Sequence, residues 1–293
     1  MKVAIYSRGL EQEQAPHFRA LLQELKVYKA EILLYESLAT ANVFKSMLRS
    51  FQYEVFTWHS HLEGKVDYLI SLGGDGTMLD AATLIKGLQI PVLGINFGRL
   101  GFLATLGKEA IKQAVDALAN QSFHIDQRSL IHADANIPLF AEAPFALNEF
   151  VIHKQDYSSM IKVHTYLNGE FLNTYWADGV IVATPTGSTG YNLSCNGPIV
   201  FPDSASFVIT PIAPHNLNVR PIVVPDNNIV SFEVEGRADN YMCAMDARRQ
   251  IVGMSTQVAV KKEAFTIGML RLSENTFLET LRNKLAWGYD KRN

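Results

Sequence analysis

The chain has 293 residues, of which 48% are hydrophobic and 19% charged, and its formal net charge is −3. This length holds one large domain or two ordinary ones, and the composition excludes a disordered chain. A slightly negative charge predicts no general affinity for nucleic acid or membranes. Cys195 and Cys243 lie far apart without the spacing of a metal site or a disulfide framework, which predicts a cytoplasmic protein. No segment approaches about 18 uninterrupted apolar residues, so we predict no membrane span.

Strand-like and helix-like segments alternate through the first third of the chain. The predicted strands are Lys2–Ser7, Glu31–Glu36, Glu54–Trp58, Asp67–Leu72 and Val92–Asn96. The predicted helices are a segment after Pro16 with Phe18, Leu21, Leu22 and Leu25 on one face, Thr40–Phe51, Thr77–Leu88 and Lys108–Ala119. Such alternation favours an α/β domain with a parallel sheet covered on both faces.

After about residue 122 the segments become short, rich in β-formers and separated by turn residues, which is typical of an all-β domain. The predicted strands are Ser129–Ala133, Phe145–His153, Ile161–Leu167, Glu170–Trp176, Gly179–Ala183, Phe207–Pro211, Ile229–Glu235 and Gln257–Lys262. Asn168-Gly169 predicts a type I′ hairpin turn. Helical spacing returns at Glu274–Trp287, and we expect this C-terminal helix to pack back on the first domain. The predicted domains are 1–125 with 272–293, and 126–271.

The stretch Leu72–Thr77, LGGDGT, follows a predicted strand and precedes a predicted helix. Glycines let the backbone approach a ligand, and the first N–H groups of a helix suit phosphate oxygens. Asp75 has two interpretations: it caps the helix, or its carboxylate positions a hydroxyl for attack on a phosphoryl group or supports a magnesium ion. No Gly-Lys-Ser/Thr follows and the pattern is not G-x-G-x-x-G, which disfavours a Walker A loop and an ordinary dinucleotide fold.

A second constellation follows the predicted strand Gly179–Ala183, where small, hydroxylic and turn-forming residues accumulate. It is either a long surface loop or a site where hydroxyls and amides bind ribose and phosphate and Tyr191 stacks on or hydrogen-bonds a base. The hydroxyl-bearing candidates are Thr184, Thr186, Ser188, Thr189 and Ser194. Asn148-Glu149 interrupts an alternating strand pattern, so this pair either faces solvent or hydrogen-bonds a sugar or amide.

Five segments in one order resemble the NAD kinase family, and they cover most of Tyr68–Val224. They read LGGDGTML, INFGRLGFLA, LNEFVIH, DGVIVATPTGSTGYNLSCNGPIV and PIAPHNLNVRPIVV. The first is shared with lipid kinases of the diacylglycerol type and, more loosely, with phosphofructokinases, whereas the fourth is far more specific. The resemblance implies an α/β domain followed by a β domain, and a homodimer or homotetramer. It also implies phosphorylation of the 2′-hydroxyl of the adenosine ribose of NAD, dependent on Mg²⁺ or another divalent cation, with ATP as the donor.

The resemblance also assigns roles by position, without naming a metal ligand. Asp75 resembles the catalytic aspartate, and Gly76 lies beside it on the nucleotide. The residues that it implies for NAD binding are Asn148, Glu149, Asp178, Thr189, Gly190, Tyr191, Asn192, Leu193, Ser194 and Ala213. This chain has Thr-Gly-Tyr where many members have Thr-Ala-Tyr, and Trp176-Ala177 where some members carry basic residues. His215 either faces phosphate or is a packed or capping histidine.

Two other functions fit part of the pattern. A lipid or sugar kinase would use the same glycine-aspartate loop, although the sequence shows no clear apolar entry surface or basic membrane-facing patch. A non-catalytic sensor would keep the NAD pocket and lose phosphoryl transfer. A test for formation of NADP from NAD, ATP and magnesium distinguishes all of these.

Overall fold

The chain divides into two units, which are described separately. The computed structural model describes residues 1–155, 159–272 and 276–286. The first unit comprises Met1–Gln127 with Ile267–Asn293, and the second comprises Arg128–Thr266. Residues 267–271, which the sequence placed at the end of the β-rich domain, form a strand of the first sheet instead. This strand pairs in parallel with the strand that contains Val92, through Met269.

The first unit is an α/β domain. Its strands are β1 (Lys2–Tyr6), β2 (Glu31–Tyr35), β3 (Glu54–Phe56), β4 (Tyr68–Leu72), β5 (Val92–Asn96), β6 (Leu106–Gly107), β7 (His124–Arg128) and β20 (Ile267–Arg271). Its helices are α1 (Ala15–Val27), α2 (Glu36–Thr40), α3 (Lys45–Leu48), α4 (Asp75–Ile85), α5 (Ile111–Asn120) and α7 (Phe277–Leu285). The sheet order is β3-β2-β1-β4-β5-β20-β7, and β6 pairs with β5.

Parallel pairing aligns the carboxyl ends of β1, β4 and β5 at one edge of this sheet. Tyr6 of β1 lies opposite Ser71 of β4, and Leu72 of β4 lies opposite Ile95 of β5. The loops that follow these three strands therefore meet at the same edge, which is where ligands bind in open α/β sheets. The glycine-aspartate stretch is the loop after β4.

Most helix predictions in the first unit are confirmed, with one clear error. The predicted face of α1 is buried at Phe18, Leu21, Leu22 and Leu25. The single helix predicted over Thr40–Phe51 is wrong, because the chain turns between α2 and α3 at Ala41, which has an extended ψ of 119°. The turn lets Leu38 of α2 and Leu48 of α3 both reach the core of the first unit.

The C-terminal helix α7 lies in the first unit, as expected. Thr276 caps it, since its Oγ1 accepts a hydrogen bond from the Glu279 N–H at 3.1 Å. Leu281 is buried, while Thr280 and Asn283 line a groove that they share with Leu100 and Gly101. The predicted ends at Glu274 and Trp287 lie outside the described residues.

The second unit contains two antiparallel sheets. Its strands are β8 (Ile131–Ala135), β9 (Phe145–Ala146), β10 (Glu149–Lys154), β11 (Ile161–Leu167), β12 (Glu170–Ala177), β13 (Gly179–Ala183), β14 (Ser206–Ile212), β15 (Ile222–Pro225), β16 (Val230–Glu235), β17 (Asn240–Met245), β18 (Arg248–Gly253) and β19 (Val258–Lys262). One sheet has the order β15-β14-β13-β10-β17-β18 and the other β12-β11-β16-β19-β8-β9. The predicted hairpin turn between β11 and β12 is confirmed, because Asn168 and Gly169 have φ values of 52° and 83°.

The two sheets pack face to face over a shared apolar core. Phe150 of β10 stacks on Phe232 of β16, with ring centroids 6.4 Å apart. The outer face of β13 is also covered, because Cys195 and Val200 pack against a second apolar cluster that contains Ile181 and Ala183 of this strand. Burial of both faces explains the continuous apolar run in β13, since no position on the strand faces solvent.

Candidate active site

The loop after β4 leads directly into the N-terminus of α4. Gly73 has a φ of 149°, a conformation that a side chain disfavours, and its N–H donates to the Ile95 carbonyl oxygen at 3.0 Å. The N–H groups of Thr77 and Met78 donate to the Gly74 carbonyl oxygen at 3.0 and 3.2 Å, so Gly74 is the N-cap. The preceding N–H groups lie before the first helical hydrogen bond and suit an anion.

The capping interpretation of Asp75 is wrong, because Asp75 is the first residue of α4 and Gly74 is its cap. The Asp75 carboxylate faces the loop between β5 and β6. Its Oδ2 accepts from the Phe102 N–H at 2.8 Å, and its Oδ1 accepts from the N–H groups of Leu103 and Ala104 at 2.9 and 3.1 Å. The loop backbone therefore fixes the orientation of this carboxylate.

Arg8 brings a positive charge to the glycine loop, and the sequence analysis missed it. A Cβ placed on Gly76 would lie 3.1 Å from Arg8 Nη1. The guanidinium is held by Asp80 of α4, through Nη2–Oδ1 at 2.8 Å and a second bond from Nε to Oδ2. Arg8 follows β1, so its position at the carboxyl edge of a parallel sheet is the signal that could have indicated it.

In the second unit, Asn148 lies between β9 and β10, and Glu149 is the first residue of β10. The Asp246 carboxylate accepts N–H groups from Leu147, Asn148 and Glu149 at 3.0, 2.9 and 3.3 Å. These contacts divide the single strand predicted over Phe145–His153 into two, since the N–H groups of the pair bond a side chain rather than a neighbouring strand. Asp246, with a φ of 51°, is a second residue that sequence reasoning missed.

The side chains of this pair present polar atoms that are buried without a partner. Asn148 Oδ1 and Glu149 Oε2 accept no hydrogen bond within the described part of the chain. Glu149 is only 8% exposed. Buried polar atoms are rarely left unpaired, so these two are candidates to accept hydrogen bonds from a ligand.

The environment of Glu149 favours its protonated form. Burial raises its pKa to about 8, and the negative charge of Asp246 adds to this effect, while a hydrogen bond from the Tyr191 N–H opposes it. Burial also raises the pKa of Asp246, but its three N–H donors and Arg248 favour its ionised form. Burial and the charge of Asp246 together raise the pKa of Glu149 and favour its protonated form.

The predicted loop after β13 contains two helical turns and is not irregular: a 3₁₀ turn over Thr186–Thr189 and α6 (Tyr191–Ser194). It packs on the Asn-Glu pair: a Cβ on Gly190 would lie 2.9 Å from Glu149 Oε2. Tyr191 is 39% exposed. Burial raises the pKa of its hydroxyl, and Cys195, Asp178 and Glu149 are near enough to add to that shift.

Some of the hydroxyl groups that were predicted to bind a ligand form hydrogen bonds within the protein instead. Thr184 Oγ1 donates to the Leu147 carbonyl oxygen at 2.6 Å, and Ser188 Oγ donates to the Val200 carbonyl oxygen at 3.2 Å. Both residues are fully buried, so the prediction that they bind ribose or phosphate is wrong. The Asn192 side chain is also internal, because it bonds Ser188, Pro198 and Thr210 at 3.0, 3.0 and 2.6 Å.

The remaining candidates are more accessible. Asp178 pairs with Lys154, Nζ to Oδ1 at 2.7 Å, and this lysine is a further residue that sequence reasoning missed. Thr189 and Leu193 are partly exposed, and Ser194 is exposed. Ala213 is exposed in a left-handed conformation with a φ of 44° just after β14. The exposed His215 ring stacks on the half-exposed Trp176 ring, with centroids 4.6 Å apart.

Asp75 and Gly76 thus belong to the first unit, and the other candidates belong to the second. Within residues 1–155, 159–272 and 276–286, no three His, Cys, Asp or Glu side chains form a metal-binding group. In the same ranges no helix is long and apolar enough to cross a membrane.

Comparisons with known proteins agree with this arrangement. Residues 9–123 match the ATP-NAD kinase N-terminal domain, and residues 147–262 match the ATP-NAD kinase C-terminal domain. NAD kinases from Cytophaga hutchinsonii and Flavobacterium psychrophilum are 46% and 43% identical to the chain, with 100% of each chain covered. A yeast NADH kinase complexed with NADH has a TM-score of 0.85 at 21% identity, over 99% of this chain and 89% of that one. An NAD kinase from Archaeoglobus fulgidus in complex with ATP has a TM-score of 0.75 at 24% identity, over 98% and 99%.

The matches to both domain models and to relatives over their full length define a nucleotide-binding phosphotransferase. The two solved structures share the fold of this chain. The chain belongs to the NAD kinase family.

Proposed function

We propose a residue-level basis for the activity of this family, the conversion of NAD to NADP with ATP, which this chain carries out. Asn148 and Glu149 bind NAD, together with Asp178, the Thr189–Ser194 segment and Ala213. Asp75 acts on the acceptor hydroxyl. The observation that carries the proposal is the pair of buried, unpartnered oxygens on Asn148 and Glu149, which a dinucleotide rich in hydroxyl and amide groups would satisfy.

The reaction requires a new bond between the ribose 2′-oxygen and the γ-phosphorus of ATP, as the bond from that phosphorus to the β–γ bridging oxygen breaks and ADP leaves. The proton of the 2′-hydroxyl goes to the Asp75 carboxylate. Phosphoryl transfer has a loose transition state in most analyses, so a carboxylate that aligns the hydroxyl and takes its proton late is sufficient. The N–H groups at the start of α4 and the Arg8 guanidinium offset charge on the donor phosphates.

A divalent cation would supply further charge neutralisation on the phosphates. The described residues do not fit a metal site built from protein side chains, since no cluster of three suitable ligands is present among them. The Asp75 carboxylate already accepts three N–H groups. The cytoplasmic location and the homodimer or homotetramer stay predictions.

Substitution of Asp75 by Asn tests the catalytic role. The variant keeps the size of the side chain and removes the proton acceptor, so we expect turnover to fall by about 10²–10⁴-fold with NAD binding retained. NADP formed from NAD, ATP and magnesium is measured with an NADP-specific dehydrogenase, and NAD affinity by calorimetry. Near-normal turnover in a folded variant would contradict the role. NAD binding by the unsubstituted protein without NADP formation would favour the sensor, and phosphorylation of a lipid or sugar instead would favour the other kinase class.

A further inference from the structure

The three N–H groups of Phe102, Leu103 and Ala104 form what we call the amide clamp. They approach the Asp75 carboxylate from 27 to 29 residues away in sequence and use both of its oxygens. None of them belongs to α4, which carries Asp75. The orientation of the carboxylate is therefore set by the chain between β5 and β6 and not by its own helix.

The segment that carries the amide clamp is anchored at both ends. After β5, the Asn96 side chain closes a turn, since Nδ2 donates to the Arg99 carbonyl oxygen at 2.5 Å and Oδ1 accepts the Gly98 N–H at 2.9 Å. The Gly101 N–H donates to the Ala104 carbonyl oxygen at 2.9 Å. At the far end, β6 pairs with β5. These bonds hold the clamp in place before any ligand binds.

Gly101 is buried at the point where this segment meets the carboxylate. A Cβ built there would overlap Asp75 Oδ1 and lie 2.7 Å from Oδ2. The neighbouring Gly98 is different, because a Cβ there would lie 3.5 Å from Asn96 Oδ1, an ordinary contact. Neither glycine has a φ in the range that side chains disfavour. Position 101 therefore requires glycine because the Asp75 carboxylate occupies the space of a side chain, and not because of the backbone conformation.

We propose that Gly101 is a positioning residue for Asp75: it leaves the space in which the amide clamp holds the carboxylate in one orientation. The inference rests on the proposed role of Asp75 as the proton acceptor. A carboxylate that is oriented in advance loses no reorganisation energy when the 2′-hydroxyl is aligned against it. A methyl group at position 101 would push the carboxylate away from the clamp, or the clamp away from the carboxylate.

A double-mutant cycle on the full-length protein tests the proposal, with saturated turnover, NAD affinity and thermal midpoint measured for each variant. Displacement of a reacting group by about 1 Å can cost 100-fold in rate, so we expect Gly101→Ala to lower turnover by at least about 10-fold. NAD affinity should stay within about twofold, because the clamp acts on the reacting carboxylate rather than on NAD binding. Gly98→Ala is the matched control and should keep near-normal turnover.

The decisive comparison is between Asp75→Asn alone and Asp75→Asn with Gly101→Ala. If Gly101 acts through Asp75, the second substitution adds little in that background. A full additional loss there, or normal turnover for Gly101→Ala alone, overturns the proposal. Normal turnover for Asp75→Asn overturns the catalytic role itself and the positioning role with it. Loss of turnover for Asp75→Asn with no effect of Gly101→Ala overturns the positioning role alone.

If Gly101→Ala does not fold, a second measurement tests whether Asp75 engages the amide clamp. Hydrogen exchange is followed at residues 102–104 in the unsubstituted protein and in Asp75→Ala, which removes the acceptor. We expect exchange there to speed up by about 10-fold or more, while exchange in β1 stays unchanged. Equal exchange at residues 102–104 in the two proteins would show that Asp75 does not engage the clamp, which overturns the proposal.

Discussion

Substitution of Glu149 by Gln should remove a specific dependence of stability on pH. The pKa of Glu149 is raised from 4.5 to about 8 in the folded chain, first by burial and then by Asp246. A raised pKa means that the folded state holds a proton which the unfolded chain releases at lower pH. The stabilisation is therefore fully present below pH 4.5 and is lost as pH rises toward 8. Gln imitates the protonated form at every pH and should lack this loss.

The magnitude follows from the two pKa values of Glu149, 4.5 and about 8. Between them, one proton separates the two states, which gives a slope of about 1.4 kcal/mol per pH unit. The slope flattens near pH 8, so the loss between pH 6 and pH 8 is roughly 2 kcal/mol. Groups that do not interact with Glu149 contribute alike to both proteins and cancel in the difference.

Urea unfolding of the unsubstituted protein and of Glu149→Gln at pH 6, 7 and 8 measures this difference. We expect the unsubstituted protein to lose about 2 kcal/mol relative to the variant over this range. Glu170→Gln is a suitable control, because Glu170 is exposed on β12 in the same unit and should give a difference that is constant with pH. Parallel pH profiles for the unsubstituted protein and Glu149→Gln would refute the assignment of a proton to Glu149 in the folded state.

Two further substitutions test the NAD side of the site. Asp246→Asn places an NH₂ group where two carboxylate oxygens accept three N–H groups. We therefore expect the variant to be destabilised by roughly 1–3 kcal/mol. We also expect its KM for NAD to rise more than its KM for ATP. An unchanged KM for NAD in steady-state assays would show that Asp246 does not position Asn148 and Glu149. Tyr191→Ala should weaken NAD binding, measured by calorimetry, more than it slows saturated turnover, because its hydroxyl lies near Asp178 and Glu149, which we propose to bind NAD. An effect confined to turnover would contradict its place in the NAD pocket.

Local signals in the sequence predicted the elements that carry the site. Gly73 and Asp75 stood out because a buried strand, a positive-φ residue and a helix start follow one another within a few residues. The strands β11 and β13 matched their predicted bounds, since β-rich runs ended at clear turn residues. Strands β17 and β18 were missed because Asn240–Met245 contains Asn, Met, Cys and Ala, which give little β signal alone. Their pairing with β10 stabilises them instead.

The features that could not be predicted from the sequence depend on contacts between residues that are distant along the chain. Asp246 lies 97 to 99 residues from the N–H groups that it accepts, and pairing of β10 with β17 brings them together. The sequence left the role of Asp75 undecided between a helix cap and a catalytic carboxylate, because its partners, residues 102–104, belong to another loop. Composition also could not say which hydroxyls of the Thr184–Ser194 stretch point inward, since that depends on the two helical turns. The same turns bury Thr184 and Ser188.

The candidate carboxyl groups of the two units differ in how many N–H groups they accept. Asp75 and Asp246 each accept three N–H groups, which hold them in one orientation as hydrogen-bond acceptors. Glu149 accepts one, from Tyr191, and is buried beside Asp246, which favours its protonated form. A protonated carboxyl group both donates and accepts hydrogen bonds. A protonated Glu149 would therefore bind a hydroxyl of NAD in either direction without adding a negative charge, whereas the fixed carboxylate of Asp75 would align a hydroxyl as a hydrogen-bond acceptor.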